Sequence, residues 1–148
     1  MDDYIVFTVS GNYYALRVAS IQRIIQVPAV TLIPNAHPFV EGMMSYEKRV
    51  VKVVNFRAMT GQQPHEEDVS EGISGKSQKL LMYQNNENFF GIKVDQIEDI
   101  VSLDPSSLKQ VDQTPSEGGF VEIEGVAELG EKLVNVIKSV TLPTKEKQ

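Results

Sequence analysis

The two halves of the chain repeat one order of apolar positions, and this repeat restricts the fold more than any other feature. Six matched pairs share one constant offset: Tyr14 with Phe90, Leu16 with Ile92, Val18 with Val94, Ile21 with Ile97, Ile24 with Ile100, and Ile25 with Val101. Further along, a second and slightly larger offset relates Glu41-Gly42 to Glu124-Gly125, and Val51, Val53 and Val54 to Val134, Val136 and Ile137. The chain therefore contains two related units. The extra length of the second lies in a polar stretch around residues 113–119, where a surface loop lengthens at little cost.

Each unit begins with a pattern typical of a β-hairpin. Residues 4–9 are rich in β-branched and aromatic side chains, a turn-forming Ser10-Gly11-Asn12 follows, and residues 13–18 alternate with period 2. The second unit has the corresponding runs 80–83 and 89–94, with Asn85-Asn86 between them. Because residues 49–56 also have strong β character, we predict an all-β fold.

A change of period follows each hairpin. Ile21, Ile24 and Ile25 have the i, i+3, i+4 spacing of a short amphipathic helix, and Pro28 would end it. The matching stretch in the second unit carries Asp95, Glu98 and Asp99, whose charges suit the first turn of a helix. We therefore predict one short helix in each unit.

Two segments have few apolar residues. Residues 60–78 carry three glycines, a proline and the cluster Glu66-Glu67-Asp68, which predicts a mobile linker between the units. Residues 144–148 have no hydrophobic side chain to anchor them, and we expect them to be frayed. We expect neither segment to contain a functional site.

Composition excludes several kinds of function. The chain has 148 residues, no cysteine and a net charge of −6, which removes thiolate chemistry and disfavours binding to a phosphate backbone. No apolar run is long enough to span a membrane, and residues 1–3 lack the basic flank of a signal peptide, which favours a cytoplasmic location without direct membrane insertion. His37 and His65 lie in loop-like contexts, and no phosphate loop or metal-spaced histidine pair occurs. We predict no enzymatic activity, cofactor or metal.

Three passages then carry a family resemblance. Residues 33–42, with the following 50–57, resemble the CheW family of bacterial chemotaxis couplers, as do Tyr14-Ala15-Leu16-Arg17-Val18 with residues 21–25, and residues 91–101. The resemblance extends nearly continuously over residues 4–140. It implies a single CheW-like domain over 1–148, made of two five-stranded β-barrels packed side by side with a hydrophobic seam. Subdomain 1 would span about 14–78 and subdomain 2 about 79–143, with the N-terminal strand packing between them or onto the second.

The resemblance also implies partners and a site. CheW proteins link the cytoplasmic tip of a chemoreceptor (a methyl-accepting chemotaxis protein) to the regulatory domain of the histidine kinase CheA in membrane-attached arrays, and they catalyse nothing. The receptor tip would dock in a groove between the barrels, at the positions of Val18, Ile21, Ile24, Ile97 and Ile100. Simple burial in the core is the alternative for about half of these isoleucines, and Ile21 and Ile97 are the preferred contact residues.

One stretch departs from the family pattern. Where the family commonly has Asn-Leu-Arg-Gly, this chain has Ser45-Tyr46-Glu47-Lys48, so that Glu47 replaces an arginine that contributes to contacts in the signalling complex. Lys52 and Asn55 likewise replace the usual proline and aspartate. Candidate kinase contacts are therefore Glu47, Lys48, Arg49 and Arg57. A charge reversal at such a contact changes partner choice more than fold.

Two alternatives remain open. The first is a diverged CheW-like binding module with a specialised partner, acting in a non-flagellar chemosensory pathway, as an antagonist or in localisation. The second is a small β-barrel that binds single-stranded nucleic acid, for which Tyr13, Tyr14, Phe89 and Phe90 would be the stacking residues. The repeat-matched strand positions of these aromatics favour core packing, and the acidic composition opposes the second alternative further.

Overall fold

Ten β-strands make up most of the fold. The computed structural model describes residues 2–60, 78–85, 88–110 and 120–142. The strands are β1 (Asp2–Val9), β2 (Asn12–Arg17), β3 (Ile21–Gln26), β4 (Val40–Tyr46), β5 (Arg49–Asn55), β6 (Lys79–Asn85), β7 (Asn88–Val94), β8 (Gln96–Leu103), β9 (Val121–Leu129) and β10 (Lys132–Val140). The helical elements within the described ranges are α1 (Phe56–Met59) and the 3₁₀ turns Val18–Ser20 and Pro105–Ser107. The predicted all-β class is confirmed.

The strands form two five-stranded sheets. The first sheet has the order β8-β1-β2-β10-β9, and the second has the order β3-β6-β7-β5-β4. Each sheet contains one parallel pair, β2 with β10 in the first and β7 with β5 in the second. The repeat appears in this register: Val136 lies opposite Ala15, and the matching residues Val53 and Gly91 lie opposite each other.

The two sequence units are intertwined. The first unit contributes β1 and β2 to the first sheet and β3, β4 and β5 to the second, whereas the second unit contributes β6 and β7 to the second sheet and β8, β9 and β10 to the first. The sheets therefore do not divide at residue 78 as the predicted subdomains 14–78 and 79–143 would. The physical reason is that the hairpin opening each unit pairs with the closing strands of the other unit, which leaves neither sheet complete without both halves.

Neither sheet closes through its strand pairing, so the two predicted five-stranded barrels are two open five-stranded sheets. In each sheet, the segment that follows one edge strand instead forms an isolated β-bridge to the other edge strand. After β3, Thr31 pairs with Met43 on β4 in the second sheet, and after β8, Lys109 pairs with Val126 on β9 in the first. The repeat-matched glycines lie beside these bridges. A Cβ at Gly42 would lie 2.3 Å from the Thr31 carbonyl oxygen, and a Cβ at Gly125 would lie 2.8 Å from Leu108 Cβ. The repeated Glu-Gly pair thus permits the same close approach in both sheets.

Both predicted helices are wrong, and two equivalent irregularities explain why. Residues 21–26 and 96–103 are the strands β3 and β8. The pairing of β3 with β6 passes over Gln22, and that of β8 with β1 passes over Glu98, the counterpart of Gln22 in the second unit. An extra residue at a β-bulge breaks the period-2 alternation. The resulting i, i+3 spacing of isoleucines imitates a helix.

One core cluster joins the sheets. It contains buried residues of the first sheet, such as Phe7, Leu16 and Ile137, and of the second, such as Val53, Phe90 and Ile92. A smaller cluster fills the inner face of the first sheet and contains Tyr4, Val6, Ala15, Leu108, Ala127, Val134 and Val136. The predicted hydrophobic seam is thus a continuous core, which explains how an intertwined chain of this size buries enough apolar surface.

Equivalent ion pairs lie at the end of each sheet opposite to the β4–β5 and β9–β10 turns. Lys93 Nζ lies 2.8 Å from a carboxylate oxygen of Glu41, and Arg17 Nη2 lies 3.2 Å from one of Glu124. Arg17 also pairs with Asp2. Arg17 matches Lys93 in the repeat, and Glu124 matches Glu41. The repeat therefore preserves this ion pair together with the apolar core.

A buried tyrosine connects the two sheets. The hydroxyl of Tyr83 on β6 accepts a 3.0 Å hydrogen bond from the backbone N–H of Val140 on β10. Burial raises the pKa of Tyr83 above its ordinary value. Burial also raises the pKa of Tyr4, whose hydroxyl has no hydrogen-bond partner among the described residues.

Three predictions concern segments outside the described residues. These are the linker character of 60–78, which falls almost entirely on residues 61–77, the insertion around 113–119, and the fraying of 144–148.

Candidate functional site

Four of the five predicted groove residues lie on equivalent edge strands. Ile21 and Ile24 are on β3, at one edge of the second sheet, and Ile97 and Ile100 are on β8, at one edge of the first. The fifth, Val18, begins the 3₁₀ turn between β2 and β3 instead of continuing the strand as predicted. It is half-buried and lines a shallow cavity of about 410 Å³ with Asp2, Asp3, Arg17 and Ala19.

The bulges determine which way the isoleucines face. Val101 packs in the inner cluster of the first sheet, whereas Ile97 packs against the core shared by both sheets. Without the bulge at Glu98 these two residues, four apart, would share a face. The extra residue therefore puts Ile97 on the same face as Ile100. The equivalent bulge in β3 relates Ile21 to Ile24 in the same way.

Burial separates these residues into two kinds. Ile21 and Ile97 are half-buried and pack against the shared core. Ile24 and Ile100 are exposed, at 37% and 59%. On each edge strand, one of the two isoleucines therefore packs on the core and the other is available for contact with a partner.

Three of the four predicted kinase contacts come together at the β4–β5 turn. Glu47 and Lys48 are its two central residues, with φ angles of 49° and 68°, and Arg49 begins β5. Two left-handed residues define a type I′ hairpin turn, for which asparagine and glycine are the usual occupants. All three side chains are exposed.

Aromatic rings and cations fill this end of the second sheet. Arg49 Cζ lies 4.4 Å from the centre of the Phe89 ring, and Phe89 lies 5.9 Å from Tyr46. Arg23 lies over Tyr46 at 5.9 Å and pairs with Glu47, with 3.6 Å between nitrogen and oxygen. We call this group the second mouth, because it lies at the β4–β5 end of the second sheet. Its residues are Arg23, Tyr46, Glu47, Lys48, Arg49 and Phe89. Glu47 therefore has an internal partner, Arg23, although both side chains remain largely exposed.

Arg57 lies apart from the other three candidates. The length of β5 separates it from Arg49, about 20 Å at the rise of an extended strand. Its guanidinium contacts both carboxylate oxygens of Asp95, at 3.1 and 3.2 Å, and donates a 2.7 Å hydrogen bond to the Ser10 hydroxyl. Asp95 also accepts a 2.8 Å bond from the Ser10 backbone N–H. Arg57 thus ties α1 to the β1–β2 turn and the β7–β8 junction.

The four aromatics of the nucleic-acid alternative are not a stacking surface. Tyr14 and Phe90 are buried. Tyr13 and Phe89 are half-buried, and each already carries a cation, Lys132 on Tyr13 and Arg49 on Phe89. These positions favour the packing interpretation over base stacking.

The described residues contain neither a candidate metal centre nor a helix that could span a membrane. No cluster of three or more histidine or carboxylate side chains with metal-binding geometry occurs in them. They also contain no helix long and apolar enough to cross a membrane.

Sequence reasoning missed a repeat-matched pair of exposed apolar residues. Val50 on β5 is 74% exposed and Leu133 on β10 is 62% exposed, and they occupy matched positions of the repeat. In the sequence, both strands resemble plain apolar runs. The signal is nevertheless present, because period-2 alternation turns Val50 outward when Val51 is buried.

Comparisons with known proteins find a matching family model and related chains. A family model for the CheW-like domain matches residues 3–144. Two curated relatives are named chemotaxis protein CheW. The one from Klebsiella aerogenes is 21% identical over 136 residues, which cover 91% of this chain and 77% of the relative, and the one from Bacillus subtilis is 23% identical over 143 residues, which cover 96% and 86%.

A solved structure shares the fold. The crystal structure of the scaffolding protein TtCheW from Thermoanaerobacter tengcongensis superposes with a TM-score of 0.79 at 19% sequence identity, covering 93% of this chain and 84% of that one. Because the family model spans nearly all of the described residues, the chain belongs to the CheW family.

Proposed function

We propose that the chain is a chemotaxis scaffold that links the cytoplasmic tip of a chemoreceptor to the regulatory domain of the kinase CheA. Family membership supports a role of this kind, since both curated relatives are named chemotaxis proteins and the solved relative is called a scaffolding protein. The observation that carries the proposal is the equivalent pair of exposed isoleucines, Ile24 and Ile100, at the edges of two sheets. Such a scaffold would work in the cytoplasm beside membrane-attached receptors.

The receptor site would consist of the two edge strands and the turn before β3. Ile21 and Ile97 would form its base because they pack on the shared core, and Ile24 and Ile100 would contact the ligand. Val18 would lie at its margin. A receptor tip is helical, and an amphipathic helix buries its apolar stripe in a groove lined by apolar side chains.

The kinase contact would be the β4–β5 turn. Lys48 and Arg49 are exposed cations there, and Val50 adds an exposed apolar side chain next to them. A charged rim around an apolar contact is the usual composition of a specific interface. Arg57 would act indirectly by fixing α1 through Asp95, since only 18% of its side chain is exposed.

Co-sedimentation with receptor membranes and purified CheA tests the receptor part. We expect the wild-type chain to sediment with both partners and to raise kinase activity. Ile24→Lys should reduce binding at least tenfold, because it places a charge in an apolar contact worth about 1.4 kcal/mol or more. Leu133→Lys is the matched control, an equally drastic change of an exposed apolar residue on β10. Equal loss in both variants, or in neither, would contradict the groove assignment.

A specialised partner is the second candidate, and the replacement of the family arginine by Glu47 favours it. The test is a pull-down of the ternary complex with a flagellar-type CheA and receptor, repeated with Glu47→Arg. If the chain serves its own pathway, wild-type assembly is poor and Glu47→Arg improves it. Full assembly that Glu47→Arg leaves unchanged would exclude a specificity role for this residue.

A further inference from the structure

An open cavity of about 690 Å³ lies at the β9–β10 end of the first sheet. Its apolar floor consists of Val6, Val101, Leu129 and Val134, which belong to the inner cluster of that sheet or pack against it. Tyr13 forms part of the wall. This volume is within the range of about 300–1,000 Å³ typical of ligand pockets. We call the cavity the first mouth.

The second mouth occupies the equivalent place in the second sheet. The pairing registers match: Leu129 lies opposite Lys132 as Tyr46 lies opposite Arg49, and Asp99 lies opposite Val6 as Arg23 lies opposite Met82. Tyr13 corresponds to Phe89 in the same way. The two ends of the molecule can therefore be compared residue by residue.

Two substitutions between the repeats leave the first mouth open. Tyr46, whose ring packs on Phe89, is replaced by Leu129, and Arg23, whose guanidinium lies over Tyr46, is replaced by Asp99. The cation on the wall remains, since Lys132 Nζ lies 4.9 Å from the centre of the Tyr13 ring as Arg49 lies over Phe89. The first mouth thus lacks one aromatic ring and one cation that the chain itself supplies in the second.

The charge of the rim has the opposite sign as well. Glu98, Asp99 and Glu131 line the first mouth, where the second has Gln22, Arg23 and Lys48. No basic side chain in the described part of the chain forms an ion pair with any of the three carboxylates. With Lys132 as the single cation of the lining, the rim is complementary to a positively charged group.

An unpaired strand edge adjoins this rim. Glu98, Asp99 and Val101 lie on β8, which pairs with β1 on one side and, across the described residues, with no strand on the other. Such an edge offers backbone groups to an extended peptide, which can bind by adding a strand. A free small cation would use the carboxylates but not this edge.

We propose that the first mouth binds an extended polypeptide segment of a partner that carries an arginine or lysine near an aromatic side chain. The aromatic ring would fill the space above Leu129 that Tyr46 fills in the second sheet, and the cation would meet Asp99 and Glu131. Residues at i and i+2 of a strand share a face, so a sequence such as tyrosine, any residue, arginine would present both groups together. The site shares β8 with the proposed receptor contact but uses the opposite face of that strand, since Val101 packs in the inner cluster whereas Ile97 packs on the shared core. The observations behind it do not depend on the receptor or kinase proposals.

The test is an NMR titration of the ¹⁵N-labelled full chain with acetyl-Tyr-Val-Arg-Val-amide. We expect saturable shifts at the backbone amides of Glu98 to Val101 and Leu129 to Val134. Acetyl-Tyr-Val-Glu-Val-amide, which reverses the charge, should bind at least about tenfold more weakly, the effect of losing one charge-assisted hydrogen bond. Equal shifts with both peptides, or no shifts at these amides, would overturn the proposal.

Variants and small probes complete the test. Asp99→Arg copies the second mouth and should weaken peptide binding about tenfold or more, and Asp99→Asn should weaken it less. Arg23→Gln, at the other end of the molecule, should leave it unchanged, and thermal unfolding checks that all three variants fold. If arginine amide or tyramine alone produced the same shifts as the peptide at similar concentration, the site would be one for small amines and the peptide assignment would fail.

Discussion

The two five-stranded sheets have equivalent strand orders and registers. They are alike at one end of the strands and different at the other. At one end, Lys93 with Glu41 and Arg17 with Glu124 form equivalent ion pairs, and Gly42 and Gly125 permit equivalent close approaches. At the other end, the second mouth is basic and filled by its own side chains, whereas the first is acidic and open. The shared positions build the fold, and the divergent positions are where the two halves can acquire different partners.

The glycine pair is expected to show the largest effect. A Cβ at Gly42 would lie 2.3 Å from backbone at Thr31, whereas the nearest atom to a Cβ at Gly125 is Leu108 Cβ at 2.8 Å. Gly42→Ala should therefore lower the free energy of unfolding by about 3 kcal/mol and Gly125→Ala by about 1–2 kcal/mol, within the range for overpacked sites. Urea denaturation followed by circular dichroism measures both. Equal costs would show that the two bridges are equally tight.

The Asp95 network should show the next largest effect, because it occurs in one unit only. The residue that matches Asp95 in the first unit is Ala19, so no equivalent contact compensates for its loss. Asp95→Ala should cost about 2 kcal/mol, since it leaves the half-buried Arg57 without its carboxylate. Asp99→Ala, an exposed carboxylate on β8, is the control and should change stability by less than about 0.5 kcal/mol. A cost for Asp95→Ala as small as that of the control would remove the network as a structural tie.

Alkaline pH provides a third comparison. The pKa values of Tyr83 and Tyr4 are raised by burial above the ordinary 10.0. The folded chain then keeps these protons at a pH where the unfolded chain loses them, so stability falls as the pH rises above 10. Tyr4→Phe should be nearly neutral at pH 8, because its hydroxyl lacks a partner, and should flatten the alkaline decline. Urea midpoints between pH 8 and 11 test this, and an unchanged decline would contradict it.

The smallest effect concerns the two hairpin turns. Lys48 has a φ of 68°, in the left-handed region that costs a side-chain-bearing residue about 1 kcal/mol. In the β9–β10 turn the left-handed residue is Gly130, the counterpart of Glu47. Glu131, the counterpart of Lys48, does not have a positive φ. Lys48→Gly should therefore stabilise the chain, by up to about 1 kcal/mol, with thermal unfolding as the measurement. A destabilised variant would mean that contacts of the Lys48 side chain outweigh the backbone strain.

The repeat was the most informative property of the sequence. Matches such as Tyr14 with Phe90 and Val53 with Val136 predicted strands that do lie in matching register. The isoleucine spacing misled, because a bulge at Gln22 or Glu98 imitates helical periodicity over a short window. The exchange of hairpins between units could not be predicted, since a repeat fixes which segments correspond but not whether they pair within a unit or across units.

The candidate site was predicted less completely than the fold. Offsets in the sequence identified Ile24 and Ile100 as equivalent, but which of the apolar residues are exposed depends on sheet packing. In the sequence Arg57 resembles a free surface cation, and only its contacts with Asp95 and Ser10 show that it is a structural tie. The first mouth is open because Leu129 and Asp99 stand where the second sheet has the ring of Tyr46 and the cation of Arg23. This difference becomes visible only when the strand registers of the two sheets are compared.

A methyl-detected NMR titration tests the central claim most directly. The full chain, labelled at the isoleucine δ1 methyl groups, would be titrated with a receptor cytoplasmic-tip fragment. We predict that the methyl signals of Ile24 and Ile100 shift most and those of Ile21 and Ile97 shift less. The signals of the buried Ile92 and Ile137 should not change. Shifts confined to other isoleucines, or none at saturating fragment, would contradict a receptor groove formed by the two edge strands.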